Sequence, residues 1–273
     1  EEDGLDIGHN TEVFGWIALP AGAGTMSGNQ YEAIRTPDAV THEPFTVPFT
    51  ATFGGAVPAV FGSMQSFDGG DPSHLRLSTV PAAAGVDVFV EEETCSDAEL
   101  GHTTETVGIL AMQQNFIAPP PPPPVIAEGG LSIEVGQAAD IVLADTTVPF
   151  TGVYTDPVIV LGTPSHNGDE EAVVRIRAIG ASDFTVYLDI PNHAAGLGAI
   201  CGGDSHVAET FSWMIVDSGS YAEGLQAGAT TGGICAGGSL CTAEYGCPLE
   251  CDHSTGFDWV TINFNPEMAN PVV

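Results

Sequence analysis

The sequence predicts an all-β fold built from antiparallel β-sandwich modules in tandem. Short runs rich in Val, Ile, Thr and Phe alternate with clusters of Gly, Pro, Asp and Asn along the chain. Helical periodicity is almost absent, and the same short motifs occur twice in the same order. Closely spaced strand signals are typical of β-sandwiches and jelly rolls, and an internal repeat indicates that one unit is used more than once.

The strand signals are clearest in four segments rich in β-branched and aromatic residues. These residue types favour the pleated, half-buried surface of a strand. Turn-forming residues bound the segments, which are 86–93, 173–179, 183–190 and 258–264.

The repeat opens with an aromatic strand and a proline-led strand, followed by an acidic turn and an arginine. The first copy has these features as FTATF at 49–53, PAV at 58–60, DGGD at 68–71 and Arg76. The second copy has them as FTGVY at 150–154, PVI at 157–159, NGDE at 167–170 and Arg175. Because the order is the same and the spacings are close, chance is a poor explanation.

Each copy ends with a His-x-x-Glu-Thr motif and then a hydrophobic strand, which we call the closing strand. The motif lies at 102–106 in the first copy and at 206–210 in the second. The repeat therefore runs from about 40 to 114 and from about 140 to 217. It predicts a first β-sandwich module within 20–114 and a second at 140–217.

A run of six prolines at 119–124 lies between the two copies. Consecutive prolines favour a polyproline II rod, which rises about 3.1 Å per residue and would span roughly 19 Å. We interpret 115–139 as a polyproline linker with a lead-in strand. The alternative is that the prolines are a ligand for an aromatic groove on a neighbouring molecule.

The two ends of the chain match complementary parts of one module. Residues 9–16 (HNTEVFGW) fit the closing motif, whereas Phe264 and Pro271 have the spacing of Phe150 and Pro157 at the opening of the second copy. The sequence thus predicts closing strands of a split module at 1–19 and its opening strands at 257–273. Neither end contains an equivalent of residues 61–90.

The motifs together resemble the H-type-lectin-like β-sandwich repeats of secreted bacterial proteins. The resemblance rests on the proline-led start, the N/D-G-G-D turn, the V-R-I segment and the H-x-x-E-T-x-G-W-I-A closing motif. It covers 40–114, 140–217 and both ends, but not the proline run or residues 219–256. It implies small antiparallel sandwiches that often bind sugars and often form oligomers.

The charge of the chain restricts its partners. Its 273 residues include 36 acidic residues but only 4 Lys and Arg, which gives a net charge of −32. Binding to nucleic acid or to anionic membranes needs a basic surface, so neither is expected. No run of about 18 apolar residues occurs, and we expect no membrane insertion. Glycans and divalent cations such as Ca²⁺ remain candidate partners.

Six cysteines indicate an oxidising, extracellular or cell-surface location. Four of them lie in a Gly-rich insertion at 218–256, and an even number in such a setting favours disulfides over a zinc site. The usual C-x2-C pairs of zinc sites are missing. The predicted disulfide cysteines are Cys95, Cys201, Cys235, Cys241, Cys247 and Cys251.

Two of the four arginines occupy equivalent places in the repeat. A buried glutamate needs a partner, so we predict structural ion pairs Arg76–Glu105 and Arg175–Glu209. Residues three apart on a strand point to opposite faces. We therefore expect His102 and Glu105 not to act together as metal ligands.

The acidic turns are the candidate metal sites. Ca²⁺ prefers several oxygen ligands in flexible loops, although Asp, Asn and Gly are also the ordinary residues of tight turns. The candidate ligands are Asp68, Asp71, Asn167, Asp169 and Glu170. Apart from Ca²⁺, no cofactor is expected.

No catalytic motif is present in the sequence. It contains neither a G-x-S-x-G nucleophile motif nor a phosphate-binding loop, and no pair of carboxylates is singled out. We expect the protein not to be an enzyme, with no catalytic residues.

The split module predicts a structural subunit that assembles head to tail. Either the chain is one window of a longer repeat protein, or the end strands of one subunit complete a sandwich with its neighbour. An open head-to-tail contact generates a helical filament. If both ends instead belong to one sandwich of the same chain, the molecule is closed and permuted. The residues expected at the joint are Phe14, Trp16, Ile17, Leu19, Trp259, Ile262, Phe264, Val272 and Val273.

Two alternative functions are open at this point. A lectin or adhesin of the same fold would bind carbohydrate without forming fibres. A surface-layer protein would form a two-dimensional lattice.

Overall fold

The computed structural model describes most of the chain and confirms the all-β class. The described residues are 12–69, 73–92, 100–115, 131–168, 171–190, 206–221, 225–235, 239–242 and 271–272. Within these ranges the only helical element is a 3₁₀ turn at Phe53–Gly55. None of the described residues forms a helix long and apolar enough to cross a membrane.

Within the described ranges, eighteen strands are arranged in antiparallel sheets. In chain order they are β1 (Glu12–Pro20), β2 (Gly22–Met26), β3 (Asn29–Arg35), β4 (Phe45–Pro48), β5 (Ala59–Met64), β6 (Ser73–Leu77), β7 (Gly85–Glu92), β8 (Val107–Met112), β9 (Ile133–Ile141), β10 (Thr146–Pro149), β11 (Pro157–Leu161), β12 (Val173–Ile179), β13 (Asp183–Asp189), β14 (Glu209–Asp217), β15 (Gly219–Ser220), β16 (Gln226–Cys235), β17 (Ser239–Thr242) and β18 (Pro271–Val272).

The first sandwich packs the sheet β2-β3-β8-β5 against the sheet β4-β7-β6. Strand β7 alternates buried and half-buried residues, as its period-two sequence predicts, and its Val86, Val88 and Val90 point into the sandwich. They pack against Val60 and Ile109 of the facing sheet. Each fully buried aliphatic side chain contributes about 1.5–3 kcal/mol, so this layer holds the two sheets together.

The second sandwich repeats this arrangement with the sheets β11-β14-β9 and β10-β13-β12. Its core is richer in aromatic residues, and the rings of Phe184 and Trp213 meet edge to face with centroids 5.8 Å apart. Both rings are fully buried. An edge-to-face contact stabilises a core beyond simple area burial, by about 0.5–1.5 kcal/mol.

A third sheet combines strands from both ends of the chain, in the order β15-β16-β1-β18, with β17 also paired to β16. Strand β1 pairs with β16 from Glu12 opposite Gly232 to Ala18 opposite Gln226. On its other side β1 pairs with β18, where Leu19 lies opposite Val272. The segments that resemble the two halves of a module therefore meet within one chain.

The register of the third sheet repeats that of the other two. In every case the closing strand, which is β8, β14 or β1, lies between two other strands. The residue six positions after the closing-motif glutamate lies opposite a Glu or Gln, namely Ala111 opposite Glu32, Ile215 opposite Glu134 and Ala18 opposite Gln226. The next residue lies opposite the proline-led strand, namely Met112 opposite Ala59, Val216 opposite Val158 and Leu19 opposite Val272.

One face of each of these three sheets contributes to a shared central core. Equivalent positions of the three closing strands supply Leu110, Met214 and Ile17, and all three side chains are buried. The core also contains Leu19, Met26, Ala33, Ala59, Phe61, Met112, Ile133, Val135, Val158, Val216, Leu225, Ala227 and Val272. The third sheet is therefore an integral part of the molecule's interior.

The closing strands contact the proline-led strands of neighbouring sheets. The Val60 N–H of β5 donates a 2.9 Å hydrogen bond to Ser212 Oγ of β14. At the position in β1 equivalent to Ser212 stands Gly15, where a Cβ would lie only 2.6 Å from the carbonyl oxygen of Ile159 in β11. Glycine is thus required for β1 to approach β11 this closely.

The same relationship links the first sandwich to the third sheet. A Cβ at Gly108, the equivalent position in β8, would lie 3.2 Å from Val272 Cγ1 of β18. The second sandwich thus contacts the first sandwich, and the third sheet contacts the second sandwich. The first sandwich in turn contacts the third sheet. The three sheets form a closed cycle around the central core.

The described ends of the proline-containing segment lie side by side. The Asn115 N–H donates to the carbonyl of Val135 at 3.1 Å, and Asn115 Nδ2 donates to the carbonyl of Ile133 at 2.8 Å. The Val135 N–H donates in turn to Asn115 Oδ1 at 2.7 Å. The two sandwiches also pack directly on each other, and the proline run itself lies outside the described residues.

Candidate functional site

The third sheet presents an aromatic surface at β1. Phe14 is 37% exposed and Trp16 is half-buried. The residues at their positions in the other closing strands are Val107 and Ile109, and Phe211 and Trp213, which are all at most 1% exposed. In both sandwiches a second sheet covers these positions, whereas at β1 the aromatic face is partly accessible.

A cleft of about 290 Å³ lies beside β1 at this surface. Both Phe14 and Trp16 line it, together with residues of β5, β8 and β11. Among the described lining residues, Ser63 is the only one with a polar functional group apart from the indole of Trp16. The full lining is Phe14, Gly15, Trp16, Ile17, Leu19, Phe61, Gly62, Ser63, Gly108, Leu110, Val160, Leu161 and Val272. We call this site the aromatic cleft.

The aromatic cleft lies beside β1, next to the described residues of β18. Strand β5 accompanies β8 as far as Val107, and β11 accompanies β14 as far as Trp213. Among the described strands, β18 accompanies β1 only at Leu19 and Pro20. Phe14, Gly15, Trp16 and Ile17 of β1 line this part of the cleft.

The predicted joint residues fall into two groups. Ile17, Leu19 and Val272 are buried in the central core, whereas Phe14 and Trp16 line the aromatic cleft. The remaining predicted joint residues, Trp259, Ile262, Phe264 and Val273, lie outside the described residues.

The partners of Arg76 differ from the predicted pair. Its guanidinium is fully buried and binds Glu91 at 2.6 Å and Glu209 at 3.3 Å. It also donates to the backbone carbonyl oxygens of Ser165 and Ala172, at 2.6 and 3.3 Å. Arg76 therefore links the two sandwiches instead of pairing with Glu105 in its own module.

Arg175 likewise does not pair with Glu209. It binds Asp189 at 2.5 Å on the outer sheet of the second sandwich, where both side chains are 39% exposed. Because solvent screens such a pair, it contributes little to stability. The prediction of two equivalent buried ion pairs is wrong, since only the first arginine points into the junction between the sandwiches.

Glu105 is fully buried and holds the acidic turn of the first sandwich. It accepts hydrogen bonds from Ser66 Oγ at 2.5 Å and from the backbone N–H groups of Asp68 and Gly69 at 2.7 and 3.1 Å. Burial alone would raise the pKa of Glu105, but these bonds and the bond with His102 lower it below its ordinary value.

Glu209 makes the same contacts in the second sandwich. It accepts from Ser165 Oγ at 2.5 Å and from the backbone N–H groups of Asn167 and Gly168 at 3.0 and 3.3 Å. The shared contact pattern explains the repeated sequence, because each closing-motif glutamate binds its sandwich's acidic turn to the closing strand. Buried carboxylates of this kind are structural groups with satisfied acceptors.

His102 and Glu105 are in direct contact, although residues three apart on a strand would point to opposite faces. His102 Nε2 lies 3.1 Å from Glu105, and His102 Nδ1 lies 2.6 Å from Glu92. The alternation of side chains along a strand does not apply to this pair, because both residues precede β8, which begins at Val107. The histidine bridges two buried carboxylates.

Glu91 contacts one arginine and two histidines at the junction of the sandwiches. Besides Arg76, it contacts His74 Nε2 at 3.0 Å and His166 Nε2 at 3.1 Å. Burial raises the pKa of Glu91, but the hydrogen bond from His74 and the positive charge of Arg76 outweigh it, and the net pKa lies below its ordinary value. No local sequence signal marks this cluster, because His166 comes from the second sandwich, whereas His74, Arg76 and Glu91 come from the paired strands β6 and β7.

The sequence analysis does not single out a second pair of buried glutamates, Glu32 and Glu134. Glu32 accepts hydrogen bonds from the N–H and Oγ1 of Thr50, both at 2.7 Å, and Glu134 accepts them from Thr151 at 2.9 and 3.0 Å. Each of these glutamates follows an apolar or aromatic residue just upstream of a repeat, at 31–32 and 133–134. This recurring pair is the sequence signal that could have identified them.

The predicted Ca²⁺ ligands are only partly described. The main-chain N–H groups of Asp68 and Asn167 are held by the closing-motif glutamates, whereas Asp71, Asp169 and Glu170 lie outside the described residues. Within the described ranges no three His, Cys, Asp or Glu side chains are grouped to hold a metal ion. The Ca²⁺ site stays a prediction.

The disulfide prediction also extends beyond the described part. The main chain of Cys235 ends β16, opposite Ser239, and that of Cys241 lies in β17, opposite Gly233. Cys95, Cys201, Cys247 and Cys251 lie outside the described residues.

Comparison with known proteins does not identify a relative. No protein-family profile, curated protein or solved structure matches the chain. The proposed function therefore rests on the geometry of the third sheet and the aromatic cleft.

Proposed function

We propose that the protein is a non-enzymatic structural subunit that assembles head to tail into an extracellular filament. In this proposal β1 of one subunit completes the third sheet of the next subunit. The observation that carries it is the pairing of β1 with β16 on one side and with β18 on the other.

The same pairing is available to a strand from a neighbour. Strand β1 contributes a whole strand to a sheet whose other strands come from the opposite end of the chain, and only Ala21 separates it from β2. A β1 supplied by a second subunit would form the same registers and bury Ile17 and Leu19 in the same core. Exchange of identical elements is a low-cost route to assembly, and an exchange that does not close produces a filament.

Charge sets the conditions under which this assembly forms. A net charge of −32 makes subunits repel one another. At about 0.1 M ionic strength the screening length falls to about 10 Å, so salt or divalent cations favour association. We expect filaments to require moderate salt or Ca²⁺.

Negative-stain microscopy and light scattering test the proposal. The full chain should form filaments as salt or Ca²⁺ is raised, whereas a chain without residues 1–19 should form none. The truncated chain should retain its strand signal in circular dichroism, because both sandwiches keep their own cores. Monodisperse particles of the full chain under all of these conditions would contradict the proposal.

A peptide of residues 9–20 provides the matched control. Added in excess to the full chain, it should occupy the third sheet and shorten the filaments. A peptide with Ile17 and Leu19 replaced by Asp should have no effect, since it would place two charges in the central core.

A further inference from the structure

Two histidines from different sandwiches meet at one carboxylate. His74 of β6 lies 3.0 Å from one oxygen of Glu91, and His166, which follows β11 in the second sandwich, lies 3.1 Å from the other oxygen. The ring of His166 also packs edge to face on Phe89 of β7, with centroids 5.1 Å apart. His166 is therefore held by two residues of the first sandwich.

The repeat has an apolar residue at the position of His166. Ser66 and Ser165 are equivalent, since each donates through its Oγ to the glutamate of its own closing motif. The next residue is Phe67 in the first copy and His166 in the second. The imidazole thus replaces an aromatic ring at the place where the second sandwich reaches Glu91.

The same comparison applies to His74. It lies opposite Glu91 in the pairing of β6 with β7, and the corresponding pair in the second sandwich is Val173 opposite Asp189. Both histidines therefore stand where the other copy of the repeat has an apolar residue. The property that distinguishes them from those residues is a charge that depends on pH.

The charges around Glu91 are unbalanced when both histidines are neutral. Arg76 is fully buried and is shared by Glu91 and Glu209, so one cation faces two carboxylates. Glu171, which precedes the Ala172 carbonyl bound by Arg76, is only 8% exposed and adds to the negative charge. Although burial raises the pKa of Glu91, its partners lower it below its ordinary value, so this carboxylate is ionised where histidines titrate.

Other described titratable groups near Glu91 have partners of their own. His206 Nδ1 lies 3.8 Å from Glu209, and both side chains are fully buried. Glu92, the neighbour of Glu91 in β7, lies 2.6 Å from His102. The acidic residues that lie outside the described ranges here are Asp71, Asp169 and Glu170.

Solvent reaches both histidines at Glu91. The side chains of His74 and His166 are 25% and 31% exposed. A cleft of about 340 Å³ lies between β5 and β6 of the first sandwich and β11 and β12 of the second, and His74 lines it. Both rings can therefore exchange protons with water while the sandwiches remain folded.

We infer that His166 and Glu91 form a pH-sensitive clasp between the two sandwiches, which is tight when His166 is protonated. Histidine ordinarily changes its charge between about pH 5 and 8. His74 shares the carboxylate, so the two rings titrate as a coupled pair, and their first proton offsets the excess negative charge. At higher pH a neutral ring keeps at most an uncharged hydrogen bond, which is roughly half as strong.

The direction of the pH effect follows from linkage. Contact with Glu91 favours the protonated rings, so the folded junction binds protons more readily than separated sandwiches do. The stability that the clasp adds is therefore present in mildly acidic solution and is lost as the pH rises through the histidine range. This property goes beyond the proposed function and does not depend on assembly.

Two backbone amides report directly on the junction. The Val60 N–H donates to Ser212 Oγ at 2.9 Å, and the Leu77 N–H donates to the carbonyl oxygen of Pro164 at 3.2 Å. In both cases the acceptor belongs to the second sandwich. Each amide is therefore protected from hydrogen exchange only while the two sandwiches are in contact.

Amide exchange followed by NMR at about pH 5.5 and about pH 8.5 tests the clasp. Exchange is expressed as protection factors, and Phe150 is the internal reference because its N–H donates to Ser182 within the second sandwich. Relative to Phe150, protection of Val60 and Leu77 should be at least about threefold greater at the lower pH. Equal protection at the two pH values, or greater protection at the higher one, would overturn the inference.

The variant His166→Phe removes the charge and keeps a ring on Phe89. It introduces the residue that the repeat has at Phe67, and the relative protection should then be the same at both pH values. His42→Phe is the matched control, because His42 is 40% exposed and contacts the exposed Glu43. It should respond to pH as the parent does.

The outcomes of these variants are decisive. A parental response in His166→Phe, or its loss in His42→Phe, would refute the clasp. If His166→Phe does not fold, the comparison within the parent still decides, because it needs no substitution. All measurements are made on single chains at low ionic strength, so failure of the clasp leaves the filament proposal standing, and the reverse also holds.

Discussion

Leu19 and Val272 lie opposite each other in an antiparallel pair and are both buried in the central core. Residues near the two ends of the chain therefore share one sheet and one hydrophobic interior. A change in β1 acts on strands that lie at the other end of the sequence.

Arg76 is expected to be the most sensitive charged residue at the sandwich junction. Arg76→Met would leave the buried Glu91 and Glu209 without their shared cation, and we expect unfolding in urea at pH 7 to lose about 3–5 kcal/mol. Arg177→Met is the control, because Arg177 and its partner Asp145 are both 53% exposed and should contribute no more than about 1 kcal/mol. Equal losses in the two variants would contradict the proposed role of Arg76.

Acid should destabilise the fold through Glu91 and Glu105. The folded state lowers the pKa of both carboxyls below 4.5, so it favours their ionised forms. Their contribution is complete above the unfolded-state pKa and is lost as the pH falls through the lower folded-state pKa. Denaturant titrations from pH 7 to pH 2 should show stability falling below about pH 4.5, the ordinary carboxyl range.

The variant Glu105→Gln isolates one of these two groups. It should be less stable than the parent at pH 7 by about 2–4 kcal/mol, because an amide cannot accept all four hydrogen bonds of the carboxylate. Its stability should depend less steeply on pH in the acid range. A slope identical to that of the parent would show that Glu105 does not contribute.

Gly15→Val should loosen the third sheet selectively. A Cβ at this position would lie 2.6 Å from the Ile159 carbonyl oxygen, and overpacking of this kind costs about 1–3 kcal/mol. Hydrogen exchange should accelerate in β1 and β16 while β7 and β13 stay protected. Ala23→Val, on the exposed strand β2, is the control and should leave exchange unchanged.

Ser212→Ala tests the contact between the two sandwiches. The substitution leaves the buried Val60 N–H without its acceptor and should cost about 1–3 kcal/mol. Ser218→Ala, which removes an exposed hydrogen bond to Asp156, should cost less than about 1 kcal/mol. If the two losses are the same, the Ser212 contact does not brace the junction.

The all-β class could be predicted because it depends on local patterns. Period-two alternation in β7 and β13 is visible in the residues themselves, and so is the repeat of the closing motif with its glutamate. The complementary ends were also visible, because residues 9–16 and Pro271 copy motifs found inside the chain.

The partners of Arg76 could not be predicted in the same way. Equivalent positions suggested equivalent pairs, but Arg76 points into a junction where the second sandwich supplies Glu209, whereas Arg175 faces solvent. The cycle of three sheets is likewise a property of packing. A repeat in the sequence shows that a unit recurs, but not which surfaces of the copies meet.

The position of β1 in the third sheet also has a consequence during synthesis. Strand β1 is made before its partners in β16 and β18, which follow more than 200 residues later. At about 5–20 residues per second, β1 waits roughly 10–50 s for them. During that interval β16 and β18 do not yet exist, so the proposed exchange of β1 between neighbouring chains would be favoured then.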